Sequence, residues 1–198
     1  WNLFCLAQAL MPLIETQELA MRALESYKLT FTNAWSEKFL NKLGLAVSDV
    51  PEQLESDTIL LNNLLEIMAA EQVDFTVFWR RLSVAVVESS ADAFAWRQVA
   101  DLFLDQAAWQ AWHNRYMGRL NLLDVNQCQE RMYKVNPKYV LRNHLAQNAI
   151  ELAQKKDFSE VARLLKILEN PYESQAVSED YAMGPPAELA HVAISCSS

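Results

Sequence analysis

The chain has 198 residues, 52% hydrophobic and 10% aromatic with six Trp, enough apolar mass for a packed body and too much for a disordered one. Its net charge of −8 and pI near 4.9 exclude nucleic acid or an anionic membrane as the main partner, because both need a basic surface, and no run of Lys and Arg supplies one locally. No apolar stretch reaches the roughly 18 residues of a membrane span.

In chain order, residues 3–14 carry an apolar Ala- and Leu-rich pattern that predicts a buried helix, with Pro12 ending or kinking it. The segment imitates a signal core but lacks a basic lead and a small-residue cleavage site. A chain that starts at Trp1, already inside a helical pattern, reads as a fragment. Thr16 opens a long helix with Ala20, Ala23, Tyr27, Phe31, Trp35 and Phe39 at near-helical spacing, stopped at Gly44. Asp57 is read as the cap of a helix carrying Leu60, Leu61, Leu64, Leu65 and Met68. Asp74 caps the next, with Phe75, Phe78, Trp79, Leu82 and Val86 on one side. Asp92 and Asp105 repeat the device before helices over 94–103 and 107–122. Trp109, Trp112 and Tyr116 form an aromatic stripe on the second, read as core. A shorter helix over 126–133 precedes Asn136-Pro137. That pair reads as an N-cap and first helical position, opening a helix to Lys156. Ser159 caps a last helix through Leu168. Pro171 then ends regular structure, and Pro185-Pro186 keeps the rest extended. The expectation is an all-α body over 1–169 with a non-helical C-terminal tail over 170–198.

Only Gly44, Gly118 and Gly184 occur, too few and too scattered for a phosphate-cradling loop. His113, His144 and His191 lack ligand-spaced neighbours, so no metal site is assigned. Asp101, Asp105, Glu151 and Glu160 stand where helix starts and solvated faces put carboxylates, and no G-x-S-x-G elbow is present. Lys138 and Arg142, four apart on the expected helix, share a face. They are read as a salt-bridged face or, with Tyr139, as a dock for a neighbouring element or an anion; Arg80 and Arg81 allow the same. The three cysteines make no even framework and no C-x-x-C, which fits a reducing compartment. Cys5 and Cys128 fall in helical patterns and are read as buried small hydrophobes. Cys196, third from the end among small polar residues, has no core to fill. It is the candidate redox thiol, with an ordinary pKa of about 8.5.

Several words in order carry a family resemblance: Trp1-Asn2-Leu3 with Leu6-Ala7-Gln8-Ala9-Leu10, Asp74-Phe75 with Phe78-Trp79-Arg80-Arg81-Leu82, Asn136 to Asn143 with Leu145-Ala146-Gln147, and Cys196-Ser197-Ser198. Asp157-Phe158-Ser159-Glu160-Val161 and Asn170-Pro171-Tyr172 add to them. The chain resembles the C-terminal part of the selenoprotein O (SelO) family. The resemblance implies the multi-helix C-terminal region of a protein-kinase-like fold, in a parent enzyme that transfers AMP from ATP to Ser, Thr or Tyr hydroxyls of proteins with Mg²⁺ or Mn²⁺. It also implies that the nucleotide-binding Lys, the metal-binding Asp and Asn and the catalytic Asp lie upstream, so this chain carries no catalytic, cofactor-binding or metal residue. The implied partners are protein substrates and the N-terminal catalytic region. The implied location is the bacterial cytoplasm or, alternatively, the mitochondrion. Cys196 maps onto the family's terminal selenocysteine or cysteine, thought to pair with a cysteine near the activation segment; Cys5 stays open as a partner. The competing reading is a stand-alone helical module that binds a partner through its apolar helix faces.

Overall fold

The computed structural model describes residues 1–88, 93–177, 179–190 and 192. Its elements in order are α1 (Asn2–Leu10), α2 (Gln17–Lys42), α3 (Pro51–Ala70), α4 (Phe75–Glu88), α5 (Ala93–Ala100), α6 (Gln106–Leu120), α7 (Val125–Val135), α8 (Asn143–Gln154) and α9 (Ser159–Glu169). Short 3₁₀ turns lie at Met11–Leu13, Glu179–Tyr181 and Ala187–Leu189, and no strand occurs among the described residues. The architecture is all-α, as expected.

Local chemistry explains most boundaries. Thr16 Oγ1 accepts from Leu19 N at 3.3 Å to open α2, with Glu18 in its first turn and Lys42 in its last, each favourable to the helix dipole. Gly44, at φ +76°, closes α2: its N–H donates to Asn41 O at 3.0 Å, and Leu45 N donates to Leu40 O at 2.9 Å. A Cβ there would also come within 3.0 Å of Cys128 Cβ, so α7 packs against the bare glycine. Asp105 accepts from Ala107 N and Ala108 N at 3.0 and 2.9 Å, and Asp74 accepts from Val77 N at 2.9 Å. Asp92 lies outside the described residues.

The core is built by the C-terminal end of α2 with α3, α4, α5, α6 and α7. Leu40, Leu43, Leu61, Leu64, Phe78, Trp79, Leu82 and Met132 are fully buried. The stripe on α6 is core: Trp112 Nε1 donates to Leu60 O at 2.9 Å and Tyr116 Oη to Leu43 O at 2.7 Å. Trp109 stacks on Phe103 with ring centroids 4.8 Å apart. Burying these two amphipathic rings with their polar tips satisfied removes the cost of an orphan donor.

Four expectations are corrected. The N-terminal apolar segment is a helix followed by a 3₁₀ turn at Pro12, but no residue of either is buried. Asp57 is not a cap, because α3 starts six residues earlier with Pro51 at its first position. Asp57 is instead buried inside α3, where Arg119 grips it through Nε and Nη2 at 2.8 and 3.2 Å and Gln53 donates at 2.8 Å. Asn136 closes α7 rather than opening a helix; residues 137–142 are non-helical and α8 begins at Asn143. Ser159 is the first residue of α9, and Asp157 accepts from its N–H at 3.0 Å.

After α9 the chain runs back over the body as a strap, described over residues 170–177 and 179–190. Pro171 O accepts from both Lys138 N and Tyr139 N at 2.7 and 3.1 Å, so the two non-helical segments pair through one carbonyl.

Candidate functional site

The Asn-Pro word builds a polar junction. Asn136 is completely buried; its Nδ2 donates to Lys42 O at 3.0 Å and Ser83 Oγ at 2.9 Å, and its Oδ1 accepts from Lys42 Nζ at 3.2 Å. Ser83 Oγ passes its own proton to Trp79 O at 2.7 Å. Lys42 Nζ also donates to Val135 O at 3.0 Å and lies 5.6 and 5.7 Å from the Phe75 and Trp79 ring centroids. Burial pulls the Lys42 ammonium below the ordinary lysine range. One amide thus joins the end of α2, the middle of α4 and the end of α7, which is what fixes the start of the next segment.

From that junction the 137–142 segment and the strap are both latched, largely by charge. Arg142 binds Asp74 with both Nη atoms, at 2.7 and 3.0 Å. Burial raises the Asp74 pKa, but the Arg142 hydrogen bond, the Val77 N–H and the Arg142 charge outweigh it, so the carboxyl ends below its usual value. Lys138 Nζ pairs with Glu179 at 2.7 Å, and Arg80 Nη1 donates to Tyr172 O at 3.1 Å while its guanidinium lies 4.6 Å from the Tyr133 ring centroid. Arg81 Nη1 donates to Gln98 O at 3.0 Å. The four basic residues singled out in the sequence therefore dock neighbouring elements, but Lys138 and Arg142 do so from a non-helical segment rather than one helix face. Farther along, Tyr181 Oη donates to Glu160 at 2.8 Å and accepts from Arg163 at 3.1 Å. Gln175 N donates to Tyr139 Oη at 3.2 Å, and Asn143 Nδ2 donates to Val192 O at 3.0 Å. No spacing in the sequence announced Glu179, Tyr181 or Gln175 as partners, because each meets its residue only after the chain reverses.

The cysteines divide differently from expectation. Cys128 is buried, and burial pushes its thiol pKa up. Cys5 is exposed, a correction, because α1 has no element over the face that carries it. Cys196 and His191 lie outside the described residues. His113 packs 4.5 Å from Trp96 and 5.5 Å from Trp109, ring to ring, and burial lowers its pKa, as it does that of His144. Among the described residues no group of three or more His, Cys, Asp or Glu converges on a point that could hold a metal ion. No helix among them is long and apolar enough to cross a membrane.

The fold and this geometry describe a helical scaffold with a polar strap. Residues 1–169 match the family described as "Protein adenylyltransferase SelO". Curated bacterial relatives named "Protein nucleotidyltransferase YdiU" are 48% identical in Variovorax paradoxus, 47% in Albidiferax ferrireducens and 41% in Vibrio vulnificus, each over all of this chain. The chain spans 38%, 39% and 40% of those relatives' lengths. The chain belongs to the SelO protein adenylyltransferase family.

Proposed function

We propose that this chain is the helical C-terminal part of a protein adenylyltransferase whose full length transfers AMP from ATP, with Mg²⁺ or Mn²⁺, to Ser, Thr or Tyr hydroxyls of protein substrates. The family match over residues 1–169 carries the reading. ATP and the metal are bound by residues outside this chain, in a kinase-like catalytic region N-terminal to it, in the cytoplasm of a bacterium. Three scattered glycines cannot form a phosphate loop, which supports placing nucleotide binding outside this chain. The chain's own part is structural. Its core braces the catalytic region, and the uncovered apolar face of α1 and the first half of α2 is where that region packs.

Cys196 is the redox thiol of the tail in this reading. It is the fourth residue after Val192, whose carbonyl is held by Asn143, so chain length keeps its Cα within about 14 Å of that anchor. A partner sulfur must come inside that radius for thiol–disulfide exchange. Protein incubated with ATP, Mn²⁺ and a candidate substrate should give an AMP adduct with the full-length enzyme and none with residues 1–198 alone. Stoichiometric labelling by this chain alone would overturn the assignment of chemistry to the rest of the protein.

A further inference from the structure

A cavity of about 210 Å³ opens between α4 and the strap, and its walls include Arg80, Arg81 and Lys138, the hydroxyl residues Thr76 and Ser174, and Glu179. Three cations gathered around one carboxylate are unexpected in a chain of net charge −8, since like charges repel and folding alone does not collect them. Two of them are positioned by neutral groups: Arg80 on the Tyr172 carbonyl at 3.1 Å and Arg81 on the Gln98 carbonyl at 3.0 Å. A carbonyl fixes the plane of a guanidinium without neutralising it, and the planar fork suits an oxyanion. Lys138, with a side chain only 14% exposed, meets the cavity's carboxylate, Glu179, whose side chain is 69% exposed. An ion pair open to solvent on one side contributes little and exchanges readily.

We propose that this cavity binds a phosphate-sized oxyanion, which takes the Arg81 guanidinium and the Lys138 ammonium and displaces the Glu179 carboxylate that otherwise stands in for it. The volume admits a phosphate or phosphoryl group. It lies below the roughly 300–1,000 Å³ of pockets that enclose whole small molecules, so a nucleoside does not fit inside. Displacing Glu179 releases the 3₁₀ turn Glu179–Tyr181 from the body on one side, so anion binding and strap attachment compete. The inference concerns this chain's own residues and stands apart from the nucleotidyl-transfer reading.

The test is titration of residues 1–198 with inorganic phosphate at constant ionic strength, read by calorimetry and by amide chemical shifts. Saturable one-to-one binding is expected at about millimolar Kd, with shifts confined to α4, residues 137–139 and the strap turn. Glu179→Gln should tighten it about fivefold by removing the internal competitor, and Arg81→Gln should weaken it about tenfold. Glu179 is exposed, so its variant keeps the test decisive even if Arg81→Gln lowers the melting temperature. O-phosphoserine binding as tightly as phosphate would assign the cavity to a phosphorylated side chain, and markedly weaker binding would assign it to the free ion. Either outcome supports the site. A linear, non-saturating response, or binding indifferent to both substitutions, overturns it.

Discussion

The two ends of this chain meet the same problem with opposite chemistry. The N-terminal arm, α1 and the first half of α2, is apolar and uncovered: Trp1 is 93% exposed, Leu13 83% and Leu29 71%. The C-terminal strap is also largely exposed, but polar contacts tie it to the body: Lys138–Glu179, Arg80 on the Tyr172 carbonyl and the Tyr181–Glu160–Arg163 triad. Apolar surface gains by area and is indifferent to the identity of what covers it. Ion pairs and hydrogen bonds gain little in free energy but demand particular partners. In the proposed reading the arm packs on the rest of the protein, whereas the strap already has its partners and is held by contacts that salt or a competing anion can loosen.

The largest effect should come from cutting the strap at its root. Asn136→Leu removes an amide that serves three elements and leaves Lys42 Nζ and Ser83 Oγ short of partners inside the protein. A loss of about 2–4 kcal/mol is expected, measured by urea unfolding monitored by Trp fluorescence. Loss below about 0.5 kcal/mol would mean that the junction is not what ties the strap to the core.

Acid should next loosen the pairing of the 137–142 segment with the start of α4. The Asp74 carboxyl is held below its ordinary value in the folded protein, so its pairing stabilises the fold above the unfolded pKa of about 3.9 and is lost as pH falls through the lower folded value. Stability measured between pH 6 and pH 3 should therefore fall more steeply in the parent than in Arg142→Gln, which should itself cost about 1–2 kcal/mol at neutral pH. Parallel pH profiles for the two proteins would place the acid sensitivity elsewhere.

How much of this was legible beforehand follows from which forces act locally. Thr16, Asp74, Asp105 and Gly44 were readable because a cap or a left-handed stop is decided within four residues. The aromatic stripe of α6 was readable because its period matches one helix face. Asp57 satisfies the local rule for a cap, but its partner, Arg119, is 62 positions away and Pro51 starts the helix. Asn136-Pro137 satisfied the local rule for a helix start equally well. Contacts with Lys42 and Ser83, 94 and 53 positions distant, decided against it. The candidate redox residue was legible only as an exception to packing, and the words that named the family reported ancestry rather than any force visible within them.

The thiols sharpen the comparison at smaller cost. Cys5 lies on the uncovered arm and Cys128 lies against Gly44 in the core. A maleimide added to native protein should modify Cys5 at least about a hundredfold faster than Cys128, whose thiolate is disfavoured by burial and sterically shut away. Cys196 should label with Cys5. The exposure of Cys5 alone assigns it no redox role, so the assignment to Cys196 rests on which of the two enters a cross-link in the oxidised full-length protein. A Cys196→Ser variant that still forms the same cross-link would remove Cys196 from that role.

The smallest change in stability should accompany the clearest change in association, and it is the arm that provides it. Phe4, Leu6 and Leu10 are exposed on α1, and Leu29 and Phe31 are exposed on α2. Leu13 and Leu29 are 83% and 71% exposed, so Leu13→Glu with Leu29→Lys removes little packing and should shift unfolding by no more than about 0.5 kcal/mol. The same pair should abolish any self-association and hydrophobic-dye binding of residues 1–198, because it breaks a contiguous apolar face with charge. If the catalytic region covers this face, as proposed, the outcome should reverse in the full-length protein: two charges driven into an apolar contact should destabilise the whole and reduce AMP transfer. If the double variant is silent in the full-length protein, the arm is not where the rest of the enzyme packs. The stand-alone interaction module then becomes the better account of why so much apolar surface was left uncovered.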